Sequence, residues 1–425
     1  MNLYSHHRCS IITKHWLFEE LEFDELVFRD LVSQYYDHSS RWDHIRIDWD
    51  YHVDKKLHEK MFEKTYRMSF RAFRKLQLML SSFLMKNTLK CRSSHPVPMH
   101  SVLAIGIRYL TGAKYHDLAD VHGVSADTVY KCVHLFMSAC LQCPDLEIKM
   151  PETASEWDYC RNSFASRSYR RIFKHCVGAI DGFFQPTQTP TKKDTVGNQR
   201  AYYSGHYKSH GLNCQAVCDG RLKFLYFGVV APGGTNDSVA FFRTGISDFL
   251  NKTLPYPLHL VGDAAYIESD HLITPFTGSQ KADPCCDAYN YYMSQCRIRI
   301  EMAFGRFSGK WSILQQKLKH KLETCSKILN VCARLHNYVI EEDYVDVDIN
   351  KCSMEEHCIT ARRDAPFGMT YLPNVPDVFE QAGFSHVKLA YLHIIKTYDY
   401  RRPHHNVVRN LKEREEEIEM EYVTL

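Results

Sequence analysis

No apolar run in this 425-residue chain approaches the ~20 residues that cross a bilayer, so no membrane span is expected. The first residues, Met1-Asn2-Leu3-Tyr4-Ser5-His6-His7, lack the basic stretch and apolar core of a secretory signal, and none is expected. Charge of one sign is lacking as well. Fifty-three Lys and Arg against 50 Asp and Glu leave a net +3, which neither demands nor forbids a polyanionic partner. There is no run of five or more Lys/Arg to serve as a strong nuclear address or DNA clamp. Internal repeats are absent, and so is a compact glycine-rich phosphate loop. Cysteine is abundant, at 16, but not in paired spacings. Cys140-Leu141-Gln142-Cys143 stands without a second CxxC or a close HxxxH, so reduced core thiols are expected rather than a zinc site. The sequon Asn236-Asp237-Ser238 means little without a secretory signal.

What is present describes a folded chain. Hydrophobic residues make up 44% and charged residues 24%, enough for a real core and for more than one domain. Aromatic and leucine spacing reads as helical from about Trp16 to Leu84, with Ser69 as an N-cap. A polar break over Cys91–Pro98 follows, then a second helical block over Ser101–Leu141. Within it, Leu118 to Lys131 has the layout of a helix-turn-helix. Ala119 is small where two helices would cross, Gly123 suits the turn, and Ser125 can cap the second helix. An ordinary helical hairpin gives the same pattern.

From Cys176 the period changes. Val177–Ile180 is a continuous apolar run, as in a central strand covered on both faces, and it ends at Asp181. Leu212, Cys214, Ala216 and Cys218 alternate with mostly polar neighbours, Asp219-Gly220 signals a hairpin, and Leu222–Val230 is the return strand. After Pro232-Gly233-Gly234, Asn236 or Asp237 can cap a helix over Ser238–Leu250. A short strand, Leu258–Val261, leads to Asp263, and a helix over Tyr291–Trp311 carries Glu301 beside its apolar face. This order makes an α/β domain with a mixed sheet.

Two strand-end aspartates and a helix glutamate point to one chemistry. Gathered together, Asp181, Asp263 and Glu301 repel one another unless cations neutralise them, and all-oxygen donors suit Mg²⁺ or Mn²⁺. A pair of such ions, roughly 3.5–4 Å apart, clamps the attacking and leaving oxygens of an in-line phosphoryl displacement. Each acid also has a plainer reading. Asp181 would be a turn residue, Asp263 a strand cap, and Glu301 the partner of Arg297 one helical turn away. Two basic stretches flank these acids: Arg161, Arg167, Arg170, Arg171 and Lys174 before, and Arg306, Lys310, Lys317, Lys319 and Lys321 after. Read plainly they are solvated helix faces; read functionally they are a phosphate-binding rim.

Five blocks together carry a resemblance. CVGAIDGFFQPTQTP (176–190), PGGTNDSVA (232–240), VGDAAYIESDHLITP (261–275), CRIRIEMAFGRFSGKW (296–311) and ARLHNY (333–338) are similar to DDE superfamily transposases of the PIF/Harbinger type, a family that includes transposase-derived nucleases of host genomes. The resemblance covers roughly Tyr66 to Ile340. It implies an RNase H-like mixed-sheet catalytic core, preceded by an all-helical region with a helix-turn-helix. It also implies two divalent cations, Mg²⁺ or Mn²⁺, held by the catalytic triad Asp181, Asp263 and Glu301. Asp237 is expected to cap a helix, with support of the site as the lesser reading. The expected divisions are a helical region at 1–90, a helix-turn-helix-like domain at 91–150 and a basic connector at 151–175. The nuclease domain follows at 176–340, with an acidic linker and tail at 341–425.

The leading expectation is a metal-dependent DNA transposase or endonuclease, whose freed 3′-hydroxyl can attack a target strand. DNA contacts are expected from Thr128, Tyr130 and Lys131 on the second helix of the pair, and from Arg170, Arg171 and Lys319. Expected partners are DNA, a Myb-like accessory protein and further copies of the chain; the expected location is the nucleus, or the cytoplasm without the partner. The alternative is a domesticated DNA-binding or scaffold protein that retains the core without using it. A phosphatase acting on small substrates leaves the helix pair unexplained.

Overall fold

The structure, a computed structural model, describes residues 46–88, 96–165, 167–168, 171–351 and 384–403. The helical expectation for 16–45, most of the polar break before 96, Arg170 and the tail beyond 403 lie outside these residues.

The first half is helical: α1 (Trp49–His58), α2 (Phe62–Tyr66), α3 (Phe70–Thr88), α4 (Met99–Leu110), α5 (Tyr115–His122), α6 (Ala126–Gln142) and α7 (Ala154–Ala165). Helices α5 and α6 are the expected pair. Gly123 ends α5 with φ +59, a conformation open to glycine at no steric cost, and the Ser125 side chain accepts the Thr128 N–H to start α6. Helix α7 falls in the stretch expected to be a basic connector. It instead packs on the sheet through the buried Trp157, Cys160 and Phe164.

The sheet holds β1 (Cys176–Pro186), β2 (Tyr203–Ser204), β3 (Ser209–Cys218), β4 (Phe224–Pro232), β5 (His259–Val261) and β6 (Leu272–Ile273). β4 and β2 pair with β3, β3 runs antiparallel to β1, and β5 and β6 lie parallel on the other side of β1. The α/β class and the mixed sheet are as expected. The helix expected over Ser238–Leu250 is two, α8 (Asp237–Phe242) and α9 (Ile246–Thr253). They are separated by a turn in which Gly245 takes φ +71. The long helix α10 (Pro284–Lys310) starts earlier than its apolar spacing suggested. Asp283 caps it by accepting from the N–H groups of Cys285 and Cys286, and Pro284 sits in its first turn, where a missing N–H costs nothing.

The largest departure is α11 (Leu322–Lys351), which runs through the acidic segment expected to be a linker. The first three acids of that segment are ion-paired. Glu341 meets Lys223 at 2.5 Å, Glu342 meets Lys75 at 2.6 Å and Asp343 meets Arg306 at 2.6 Å. Three cations from distant parts of the chain thus neutralise consecutive carboxylates and let the helix continue. The same helix carries Arg334, which donates to the carbonyls of Cys140, Leu141 and Cys143 at the end of α6, where free C=O groups favour a cation. Asn337 grips the backbone of Phe224 in β4, accepting from its N–H and donating to its C=O, each at 2.7 Å. Two turns of one helix therefore join the helical layer to the sheet.

The final helix, α12 (His386–Thr397), lies in the stretch expected to be a tail, and packs on α10. Its Lys388 is 2% exposed and donates at 2.6 Å to Glu268, in the loop after Asp263. Glu268 also accepts from the Ser385 N–H and the Thr274 hydroxyl, while Asp270 accepts from the His386 N–H. The ammonium of Lys388 lies 4.2 Å from the centre of the Phe276 ring. Of the 12 cysteines among the described residues, all carry free thiols and only Cys285 is not buried.

Removing one partner of a buried ion pair strands the other. Lys388→Met should lower stability by about 3 kcal/mol, the low end for such a loss because Glu268 keeps two other donors. Lys388→Met/Glu268→Gln should recover part of it in denaturant titrations; a single variant as stable as wild type would contradict the assignment.

Candidate active site

The site is set by unequal strand lengths. β1 has 11 residues and β5 has three. The last registered pair between them is Ala179 with Val261, and Asp181 and Asp263 lie two positions beyond each partner. Asp181 is therefore not at the end of its own strand, as the apolar run suggested; it sits mid-strand, opposite Ala216 of β3, where β5 has stopped. β1 is covered on one edge and open on the other at that point. Both aspartates border the crevice beyond the parallel strands, the usual place for ligands in such sheets.

Backbone donors fix the two carboxylates. Gly182 N–H donates to Oδ1 of Asp181 at 2.8 Å, and Ala265 N–H to Oδ1 of Asp263 at 2.9 Å. Burial pushes the Asp181 carboxyl up to about 6. The Gly182 N–H pulls it back, the negative charges of Asp263 and Asp237 raise it, and the Arg297 guanidinium lowers it. Asp181 thus shares its surroundings with two further carboxylates.

Glu301, on α10, is half exposed and ion-paired with Arg297 at 2.6 Å, the plainer of its two expected readings. Its helix packs on β1. Among the described residues, no three His, Cys, Asp or Glu side chains stand close enough to hold a metal ion as they are. The donor chemistry nevertheless suits a hard divalent cation at the two aspartates, where carboxylates crowd and one is driven towards protonation. Completing the set with Glu301 requires that Glu301 leave Arg297.

Asp237 does not cap its helix; the neighbouring Asn236 does, accepting from Ser238 N–H. Oδ1 of Asp237 instead accepts from Asn213 Nδ2 at 2.9 Å and Gln215 Nε2 at 3.0 Å. Gln215 in turn accepts from the Tyr266 hydroxyl at 2.7 Å. Burial raises the Tyr266 phenol, and the charges of Asp181, Asp237 and Asp263 raise it further, so the three aspartates surround one buried hydroxyl. Gly182 makes the approach of Asp237 feasible, since a Cβ there would stand 2.3 Å from Oδ1 of Asp237. The overlooked signal was polarity on a covered strand. Gln215 is fully buried between Cys214 and Ala216, and Asn213 nearly so between Leu212 and Cys214.

The proposed DNA contacts fare unevenly. Tyr130 and Lys131 are exposed on α6, Lys131 being paired with Asp127 at 2.6 Å. The Thr128 hydroxyl lies 2.9 Å from Ser125 Oγ in the cap. Arg171 and Lys319 are exposed. Arg306 and Lys310, read as a phosphate rim, are committed to Asp343 at 2.6 and 3.8 Å.

Comparisons with known proteins define the class. Residues 180–337 match the family model of the DDE superfamily endonucleases, a span that includes all three acids of the expected triad. Among individual proteins it is similar to Protein ALP1-like of Arabidopsis thaliana, with 22% identity over 316 residues, covering 70% of this chain and 74% of that protein. It is also similar to a Xenopus laevis protein named Putative nuclease HARBI1, with 20% identity over 289 residues, covering 66% and 79% respectively. The resemblance to Harbinger-type DDE proteins is thus borne out. No solved structure gives a significant match.

A carboxyl raised from 3.8 to about 6 in the fold binds its proton more tightly there than in the unfolded chain, so it costs stability once pH exceeds the unfolded value. Asp181→Asn should therefore melt higher than wild type near neutral pH in EDTA, and the gap should close as pH falls through about 6 towards 4. A gap independent of pH would place the effect elsewhere.

Proposed function

We propose that the chain is a divalent-metal-dependent DNA endonuclease, with strand joining open to it, whose working acids are Asp181, Asp263 and Glu301. The observation that carries this is the pairing of Asp181 and Asp263 across the notch where β5 ends, inside the stretch that matches the endonuclease family. The strand order, three antiparallel strands continued by two parallel to β1, supports an RNase H-like reading of the core.

In this reading Asp181 and Asp263 would hold the cations, with Glu301 joining after release from Arg297. When bound, such ions lower the pKa of a water nucleophile and stabilise charge on the leaving oxygen. The chain's own residues prepare the place. Gly182 and Ala265 N–H groups hold one oxygen of each aspartate, leaving the other for a ligand. Tyr266 donates to Gln215, which in turn donates to Asp237. Arg297, freed by the exchange, is placed to bind a backbone phosphate.

The second reading, a DNA-binding protein that does not cut, is favoured by the closed Arg297–Glu301 pair. Cleavage of supercoiled DNA in Mn²⁺ separates the two. Asp181→Asn, Asp263→Asn and Glu301→Gln should each abolish nicking and retain DNA binding. Glu323→Gln, an exposed carboxylate paired with Lys327, should nick normally. Nicking at the wild-type rate by any triad variant would remove that residue from the site.

The exposed end of α6 is read as a DNA contact. The Asp127–Lys131 pair is exposed on both sides and costs little to break. Lys131→Ala should reduce the slope of log K against log[salt] by about 0.9, the value for one phosphate contact. An unchanged slope would turn α6 away from DNA.

A further inference from the structure

A cleft of about 440 Å³ opens on the face of β1 opposite α10, and nothing in the proposed chemistry uses it. Gly182 and Phe184 of β1, with Tyr207 laid on the Phe184 ring, line one side, and Gly233, Gly234 and Asp237 after β4 the other. Its size falls within the roughly 300–1,000 Å³ of small-ligand sites, large enough for a nucleotide and too small for a duplex.

The walls suit a nucleobase. The Phe184 and Tyr207 rings stack with centroids 4.3 Å apart and planes 3° from parallel. Phe184 is fixed from behind by two glycines: a Cβ on Gly211 would lie 2.4 Å from its Cζ, and one on Gly233 2.6 Å from its Cε2. Any other residue there would push the ring off its seat. Tyr207 remains 55% exposed, so the outer layer of a rigid aromatic stack faces the cleft and solvent.

The edge chemistry fits as well. Oδ1 of Asp237 is occupied by Asn213 and Gln215, while among the described residues no donor reaches Oδ2. A free carboxylate oxygen accepts from the exocyclic amine of cytosine, adenine or guanine, whereas thymine has no exocyclic amine and offers only its ring N3–H. Asp237 stands over Gly182, which follows Asp181 in β1 but faces the other side of the sheet, so a strand held at Asp181 would reach the cleft around the edge of β1 that β5 leaves open. Lys192, Lys193, Arg200 and Lys208 are all exposed on the 192–208 segment, which also carries Tyr207, and are available to phosphates.

We propose that this cleft takes one unstacked nucleotide of the DNA strand presented to Asp181 and Asp263, its base stacked on the Tyr207–Phe184 pair and its amine edge turned to Asp237. The assignment rests on the endonuclease reading, because it is the strand held at the acids that delivers the base. It gives that reading a preference for distorted or single-stranded DNA at the bond to be cut, where a base leaves the stack at least cost.

The test uses the full chain in EDTA, so that nothing is cut, with fluorescein-labelled twelve-nucleotide probes read by anisotropy. The probes are oligodeoxycytidylate, oligothymidylate and an abasic strand of the same length. Wild type should bind the cytidylate probe about tenfold more tightly than the abasic one, within the range for stacking a base on an aromatic ring, with thymidylate between them. Tyr207→Ala should erase most of that difference and Tyr207→Phe should keep it, both melting near wild type because the ring is exposed. Equal binding of cytidylate and abasic probes by wild type, or an undiminished difference in Tyr207→Ala, overturns the proposal. Equal binding of cytidylate and thymidylate removes Asp237 from the base edge and overturns the proposal in the form given. If these failures accompany normal nicking in Mn²⁺, the endonuclease reading stands and the cleft alone falls. Failure to bind any of the three probes overturns both.

Discussion

The difference in length between β1 and β5 is the constraint on which the site depends. A parallel neighbour that stops after three residues leaves β1 paired on one edge only where Asp181 stands. Asp181 gains from this both rigidity and access. It is held by the antiparallel ladder with β3, yet no strand covers its other side. A full-length β5 would have buried the carboxylate against backbone, where neither a cation nor a phosphate could approach it. Asp263 belongs to the same constraint, since it follows the strand whose ending creates the gap.

Around that notch the fold collects like charge and compensates it locally. Tyr266, Gln215 and Asn213 form a polar layer beneath three aspartates. Arg297 balances Asp181 from α10 while paired with Glu301. Further out, α11 holds the assembly by contacts in three directions: Arg334 to α6, Asn337 to β4, and the Tyr338 hydroxyl to the Ala72 carbonyl of α3. The ARLHNY block, distinctive in the sequence, is thus a structural joint whose side chains serve the backbone of other elements.

Much of this was legible because it is local. An apolar run ending at Asp181, a short strand before Asp263, the Gly123 turn with its Ser125 cap and the spacing of Arg297 to Glu301 all depend on neighbours within a turn or a strand. What failed to show depends on distant partners. Glu341, Glu342 and Asp343 read as a linker because Lys223, Lys75 and Arg306 lie far away in sequence. Asp237 read as a helix cap because its donors, Asn213 and Gln215, belong to a strand more than 20 residues away. Helix α12 read as tail because its hold on Glu268 spans 120 residues.

The buried thiols bear on how the protein can be handled. Desolvation holds Cys140, Cys176, Cys218 and Cys332 well above the ordinary thiol range, so in the folded chain they neither form thiolates nor meet oxidants. Unfolding removes that protection at once from a chain with 16 cysteines and no native crosslink among the described residues. Any pair that joins in air then fixes a loop that the native packing has no room for. Its durability is therefore set as much by the redox state of its surroundings as by its free energy of folding, and a melt recorded without reductant would be a one-way passage.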